Sequence, residues 1–216
     1  MFDRLVVERT AFVDLVEGLS AADWSSATLC DGWSVAVVAG HVLCPTDVGY
    51  RELASGLVRA RFSLERFLDA AARRRGGRGQ AELVAALHAS VTSRTHPPGT
   101  SYAGLAVDCA VHSLDVAIPT GRDVTFESER LRWLLERASR LKGPFGVRSR
   151  IAGLRLEATD VGWSYGTLPE GGAGDRSVRD VMVSGPGDAL LLAMLGRTVR
   201  LDRLAGHGVE ILGARA

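Results

Sequence analysis

Asp108 and His112 stand four residues apart in an apolar run, Asp115 follows three positions later, and His41 lies inside an earlier apolar run. Positions four apart on a helix lie one above the other on the same face, so Asp108 and His112 can hold one cation together. His41 from a neighbouring helix would complete a facial set of two imidazoles and one carboxylate. Three protein ligands suit a catalytic divalent metal, because water or a substrate atom must take the remaining positions. The sequence neighbours of Asp108 are Leu105, Ala106, Val107, Ala110 and Val111. A carboxylate facing such a core is costly unless a cation or hydrogen bonds compensate it. Spacing alone also admits a core histidine and a helix-surface pair. Asp115 is placed to hydrogen-bond a ligand imidazole, and the competing reading is an ion pair with Arg122.

The other reactive residue types carry weaker patterns. Cys30, Cys44 and Cys109 are odd in number and lack paired spacing, which predicts reduced thiols and no disulfide framework. Cys44 lies three residues after His41 and Cys109 adjoins Asp108; both are small apolar core residues or neighbours of the metal, with Cys44 the candidate fourth ligand. His88, His96 and His207 sit at loops and turns and are assigned no role. Gly171-Gly172-Ala173-Gly174 lacks the Lys-Ser/Thr of a phosphate loop, and no Gly-x-Ser-x-Gly elbow marks a nucleophilic serine.

With 216 residues, 46% of them hydrophobic, the chain can bury a large core or two small ones. A formal net charge of +1 argues against a nucleic-acid or membrane-surface binder. Arg73-Arg74-Arg75 with Arg78 reads as a solvated loop. No long apolar run or signal-like N-terminus is evident, so a cytoplasmic protein is expected. All 26 basic residues except Lys142 are arginine, as a GC-rich genome would produce.

Helical periodicity predicts elements over about residues 3–19, from Ser34 to a break at Pro45, through Tyr50 to Phe67, and over 80–95, 101–117 and 128–141. Ser20 to Asp23 reads as a capping box, and Ser128 as the cap of its helix. Antiparallel helices with short connections make a bundle, which builds metal sites from inward side chains. After Gly143-Pro144 the pattern changes: Leu154 to Asp160 alternates as a strand would, continued by Trp163-Ser164-Tyr165, and Val178 to Val183 is a second strand. Gly166 to Gly174 is then a loop, Asp188 to Leu195 a helix closed by Gly196, and Leu201 to Leu204 begins a short last helix. The predicted fold is α+β, with a helical bundle at 1–145 and a small α/β domain at 146–216.

These residues, taken together, resemble the mycothiol-dependent maleylpyruvate isomerase family of the DinB-like superfamily, over nearly the whole chain. The matching pieces are Cys30-Asp31-Gly32-Trp33-Ser34-Val35 leading to Gly40-His41-Val42, and Asp108 to Pro119 followed by Gly121-Arg122. Further on, Ala158 to Gly166 and Gly185 to Arg197 are similar to the family's C-terminal, sterol-carrier-like domain. The resemblance implies an up-and-down DinB-like bundle with the small domain packed against it. It also implies a divalent metal, usually zinc, on His41, Asp108 and His112, and mycothiol, the thiol of actinobacteria, as cofactor. Arg197 matches the C-terminal arginine that such isomerases place near the active site. Asp108 stands where the characterised isomerase has glutamate, and Val35-Ala36-Val37-Val38 lacks a charged pair common after the Trp-Ser motif.

The implied reaction is cis-trans isomerisation or thiol transfer on a small carboxylate-bearing substrate, with a low-molecular-weight thiol as partner and Arg197 binding the carboxylate. A metal-dependent hydrolase and a non-catalytic small-molecule binder are the rival readings from the residues alone.

Overall fold

The computed structural model describes residues 1–142, 146–166 and 181–216. Its contacts divide into two compact units, Met1–Val124 and Thr125–Ala216. Among the described residues the chain is rich in helix, with one small three-stranded sheet.

The first unit consists of α1 (Phe2–Glu17), α2 (Ala21–Ser25), α3 (Val35–Asp47), α4 (Tyr50–Arg59), α5 (Leu64–Gly76), α6 (Gln80–Ser90) and α7 (Tyr102–Ala117). Leu5, Phe12, Val13 and Val16 recur at helical spacing on α1 and are fully or almost fully buried, and that face packs against α6 and α7. Arg9, buried on the same helix, donates from one guanidinium nitrogen to the carbonyls of Ser90 at 2.9 Å and Ser93 at 2.8 Å. It thereby ties α1 to the end of α6 and to the turn that follows it. Ser20 and Asp23 form the expected capping box, and the Trp24 indole donates to the Val16 carbonyl.

Three expectations for this unit change. Pro45 lies in the last turn of α3, which continues to Asp47. The arginine run is part of α5, and Arg75 is buried rather than solvated because it faces acidic partners on other elements. Its guanidinium donates to Asp47 at 2.7 Å and to both Glu52 oxygens at 2.9 and 3.1 Å. The apolar pattern from Tyr50 to Phe67 is likewise two helices, separated where Arg61 and Phe62 adopt φ of 54° and 60°.

The second unit contains α8 (Ser128–Ala138), α9 (Val147–Arg150), β1 (Arg155–Ala158), β2 (Trp163–Tyr165), β3 (Met182–Gly185), α10 (Gly187–Met194), a 3-10 turn at Leu201–Arg203 and α11 (Gly208–Ala214). β1 is central, antiparallel to β2 with Leu156 opposite Tyr165, and parallel to β3 with Arg155 opposite Met182. Trp163 to Tyr165 is therefore a separate strand and not a continuation of the first. The N-cap of α8 is Glu127, one residue before the expected Ser128.

Leu131, Leu134 and Leu135 on α8 are buried, and a Cβ on Gly187 would stand 2.9 Å from Leu131, so α8 packs closely on α10. This packing puts α8 in the second unit, whereas sequence character alone divides the chain after 145. Asp160 accepts from the Gly187 N–H at 2.9 Å and so satisfies a donor at the start of α10. Gly196, at φ 87°, closes that helix. The short last helix expected to begin at Leu201 starts instead at Gly208 as α11, after the 3-10 turn at Leu201–Arg203. The Gly143-Pro144 stop, the predicted loop from 167 to 174 and the start of the strand at 178–180 lie outside the described residues.

Candidate metal centre

His41 owes its position to two glycines. A Cβ on Gly40 would stand 2.4 Å from the Ala72 carbonyl oxygen and 2.6 Å from the Gly76 nitrogen, and one on Gly76 would stand 2.7 Å from the Ala36 carbonyl oxygen. Only hydrogen fits at both positions, so α3 and α5 approach at backbone contact and the adjacent His41 is fixed in depth. The Trp33 ring lies 5.2 Å from the His41 ring, tilted by 49°. The Trp33 indole donates to Asp69 at 2.8 Å, and Arg73 donates to the same carboxylate at 2.9 Å, which locks the indole as a wall beside the imidazole.

α7 supplies the rest. Its residues from Leu105 to Ala117 are almost all buried, so the helical face bearing Asp108, His112 and Asp115 turns inward. One oxygen of Asp108 is 3.4 Å from His41 Nε2, and the other is 3.5 Å from His112 Nε2. The two imidazole rings meet edge to face at 4.9 Å. His112 Nδ1 points the opposite way and donates to Asp115 at 2.9 Å; Asp115 is completely buried.

Burial opposes ionisation of Asp108, but His112 and His41 outweigh it and hold the carboxyl far below the ordinary carboxylate range. Burial would lower the His112 pKa, yet Asp108 reverses this and, with Asp115 and Cys30, raises it well above the usual value. The free site is thus strongly poised to hold positive charge.

The donor set fits a divalent cation. Charge-assisted N–H···O contacts run about 2.7–2.9 Å, so separations of 3.4 and 3.5 Å are long for direct histidine–aspartate pairing. Bonds of about 2.0–2.1 Å to a shared tetrahedral ion put neighbouring donors about 3.3 Å apart. One ligand atom from each of His41, Asp108 and His112 lies within 4.8 Å of the others. The Asp115 contact fixes His112 with Nε2 toward the site, as an outer carboxylate does for a metal-bound imidazole. His41 Nδ1 is buried without a hydrogen-bond partner among the described residues, so packing against Trp33 takes over that orienting role for His41.

Other expected neighbours lie elsewhere. Cys44 donates to the Gly40 carbonyl within an apolar cluster with Phe67 and Ala71, and burial pushes its thiol up to about 12. Cys109 is buried and its thiol is likewise pushed up by burial. Neither belongs to a group able to hold a metal among the described residues. Arg122 pairs with Asp23 at 3.6 Å. His88 contacts Glu17 and His96 packs on Tyr102, away from any described metal-binding group.

Arg197 belongs to the second unit, where it donates to the Leu195 carbonyl at 2.7 Å, a capping contact at the end of α10. Two residues escaped the sequence reading as parts of the site, Trp33 and Cys30. Both lie in the Cys30-Asp31-Gly32-Trp33 motif, but their reach toward His41 and Asp115 depends on how the loop folds back.

The family model described as mycothiol maleylpyruvate isomerase N-terminal domain matches residues 5–98. No curated protein matches the chain. Among solved structures, the chain is similar to the crystal structure of the mycothiol-dependent maleylpyruvate isomerase, with a TM-score of 0.61 and 17% identity over 95% of this chain and 90% of that one. A structure of a histidine-to-alanine mutant of that isomerase gives the same TM-score of 0.61 and the same 17% identity and coverage. At that identity the structural likeness speaks for the fold, and the family model speaks for the sequence that carries His41. Residues 5–98, which carry His41, are thus similar in sequence to the mycothiol maleylpyruvate isomerase N-terminal domain.

Proposed function

We propose that this protein is a metal-dependent enzyme that uses mycothiol to isomerise a cis double bond, or to transfer the thiol, on a small carboxylate-bearing substrate. The observation that carries the reading is the spacing of Asp108 from His41 and His112, too long for charged hydrogen bonds and suited to a shared cation. The likeness of residues 5–98 to the mycothiol maleylpyruvate isomerase N-terminal domain supports the choice of thiol and of an unsaturated acid as substrate.

His41, Asp108 and His112 would be the ligands, and zinc suits two imidazoles with one carboxylate. Bound there, the cation would lower the pKa of a thiol, and the thiol would serve as nucleophile toward a conjugated double bond. Asp108 supplies the negative charge of the set. Asp115 keeps the His112 Nδ1 proton and so leaves Nε2 free to ligate. Arg197 is the candidate for the substrate carboxylate, through its planar fork. In this reading the DinB-like helical domain carries the metal, and the small sterol-carrier-like α/β domain carries the arginine.

The test is elemental analysis of the purified protein, followed by turnover of maleylpyruvate and related unsaturated acids with and without mycothiol. One divalent metal per chain and thiol-dependent turnover are expected. Metal-free protein, or turnover indifferent to thiol, would overturn the reading.

A further inference from the structure

Cys30 lies outside the His41–Asp108–His112 set, in a second group with His112 and Asp115 whose ligand atoms also lie within 4.8 Å of one another, and its thiol reaches the deepest polar group of the site. Its Sγ donates to Asp115 at 3.1 Å and lies 3.7 Å from His112 Nδ1. The Asp115 oxygen contacted by the thiol is the one that accepts from His112 at 2.9 Å. Two donors thus converge on a single carboxylate oxygen.

The loop carrying Cys30 is built to hold it there. Thr28 accepts from the Cys30 N–H at 3.2 Å and donates to the Trp33 carbonyl at 2.9 Å, while the Trp33 N–H donates to the Cys30 carbonyl at 3.0 Å. Ala27 and Ser34 pair as an isolated bridge that closes the loop at its base. The Leu29 N–H donates to the Asp115 backbone carbonyl at 3.1 Å, so the loop is also tied to α7 beside the side-chain contact. With both its carbonyl and its carboxylate held, Asp115 is fixed relative to the loop as well as to its own helix.

We propose that Cys30 is a positioning residue for the metal centre, acting through Asp115 to fix the ring plane and tautomer of His112. The proposal rests on the metal reading given above for His112 Nε2. A thiol is a weak donor, so its contribution is directional: it selects one orientation of the carboxylate, and the carboxylate selects one orientation of the imidazole. Outer contacts of this kind set ligand geometry, and their loss typically lowers metal affinity about 10–100-fold.

Cys30→Ala and Cys30→Ser test it with two readouts. The first needs no metal: exchange of the His112 Nδ1 proton with solvent, followed by ¹⁵N-edited NMR in the metal-free protein. Cys30→Ala should exchange clearly faster than wild type, because the carboxylate that holds this proton loses its second donor. Cys30→Ser, which keeps a donor, should stay near wild type.

The second readout is cobalt titration, where Cys30→Ala should bind about tenfold more weakly and Cys30→Ser should recover most of the loss. Equal proton exchange in all three proteins would overturn the proposal, as would a serine variant as impaired as alanine in both readouts. If wild type binds no cobalt, the metal reading fails, and the proton-exchange series still decides whether Cys30 orders Asp115 and His112.

Discussion

Gly40 and Gly76 pack backbone to backbone across α3 and α5, with the Gly76 nitrogen only 2.6 Å from where a Gly40 Cβ would stand. One residue beyond this contact is His41, so this close helix crossing and the position of a candidate metal ligand share a structural cause. A Gly40→Ala variant must separate the helices, because the atoms it meets are backbone and have no rotamer to yield. Overpacking of this kind costs about 1–3 kcal/mol. A lowered melting temperature is expected, together with weaker metal binding. A variant as stable as wild type would show that the crossing tolerates a methyl group.

Asp108→Asn preserves size and removes charge. Metal affinity should fall by at least the roughly 10–100-fold seen when outer contacts are removed. His112→Ala should leave the purified protein nearly free of metal. Elemental analysis and a competitive titration measure both, and wild-type metal content in either variant would remove the three-residue set from consideration.

The Glu52–Arg75 pair predicts an acid limb of stability. Hydrogen bonding to Arg75 is the main cause that holds the Glu52 carboxyl below its usual range. A carboxyl whose folded pKa is depressed contributes stability that is fully present above its unfolded value, about 4.3, and is lost as pH falls through the lower folded value. Glu52→Gln should therefore lower the melting temperature at neutral pH and narrow its gap from wild type as pH falls below about 4. Parallel melting curves across that range would show that the pair adds nothing pH-dependent.

Arg197→Lys separates two tasks for one side chain. Lysine keeps the charge but loses the planar fork, so turnover of a carboxylate substrate should drop while metal content stays unchanged. If the contact with the Leu195 carbonyl is its whole role, the melting temperature falls and turnover per folded molecule does not. Steady-state kinetics beside a thermal melt distinguish the two.

The ligand spacing was legible in the sequence because a helix is a local structure: four residues apart means one face, whatever surrounds it. The same locality made α1, the Ser20 capping box and α7 readable from periodicity and caps. Strand character after residue 154 was readable from alternation, but the pairing of β1 with β2 and β3 was not, since register depends on partners distant in sequence. Arg75 read as solvated because charge runs usually are; its burial depends on Asp47 and Glu52 arriving from other elements. Cys30 and Trp33 stood in a conspicuous motif without a visible task, because nothing local says that a loop will fold its thiol onto Asp115 and its indole onto His41. Sequence alone determined which residues could bind a cation and on which helix face. Only the tertiary structure decided that α3 and α7 bring those residues together, since that depends on packing between segments far apart in the chain.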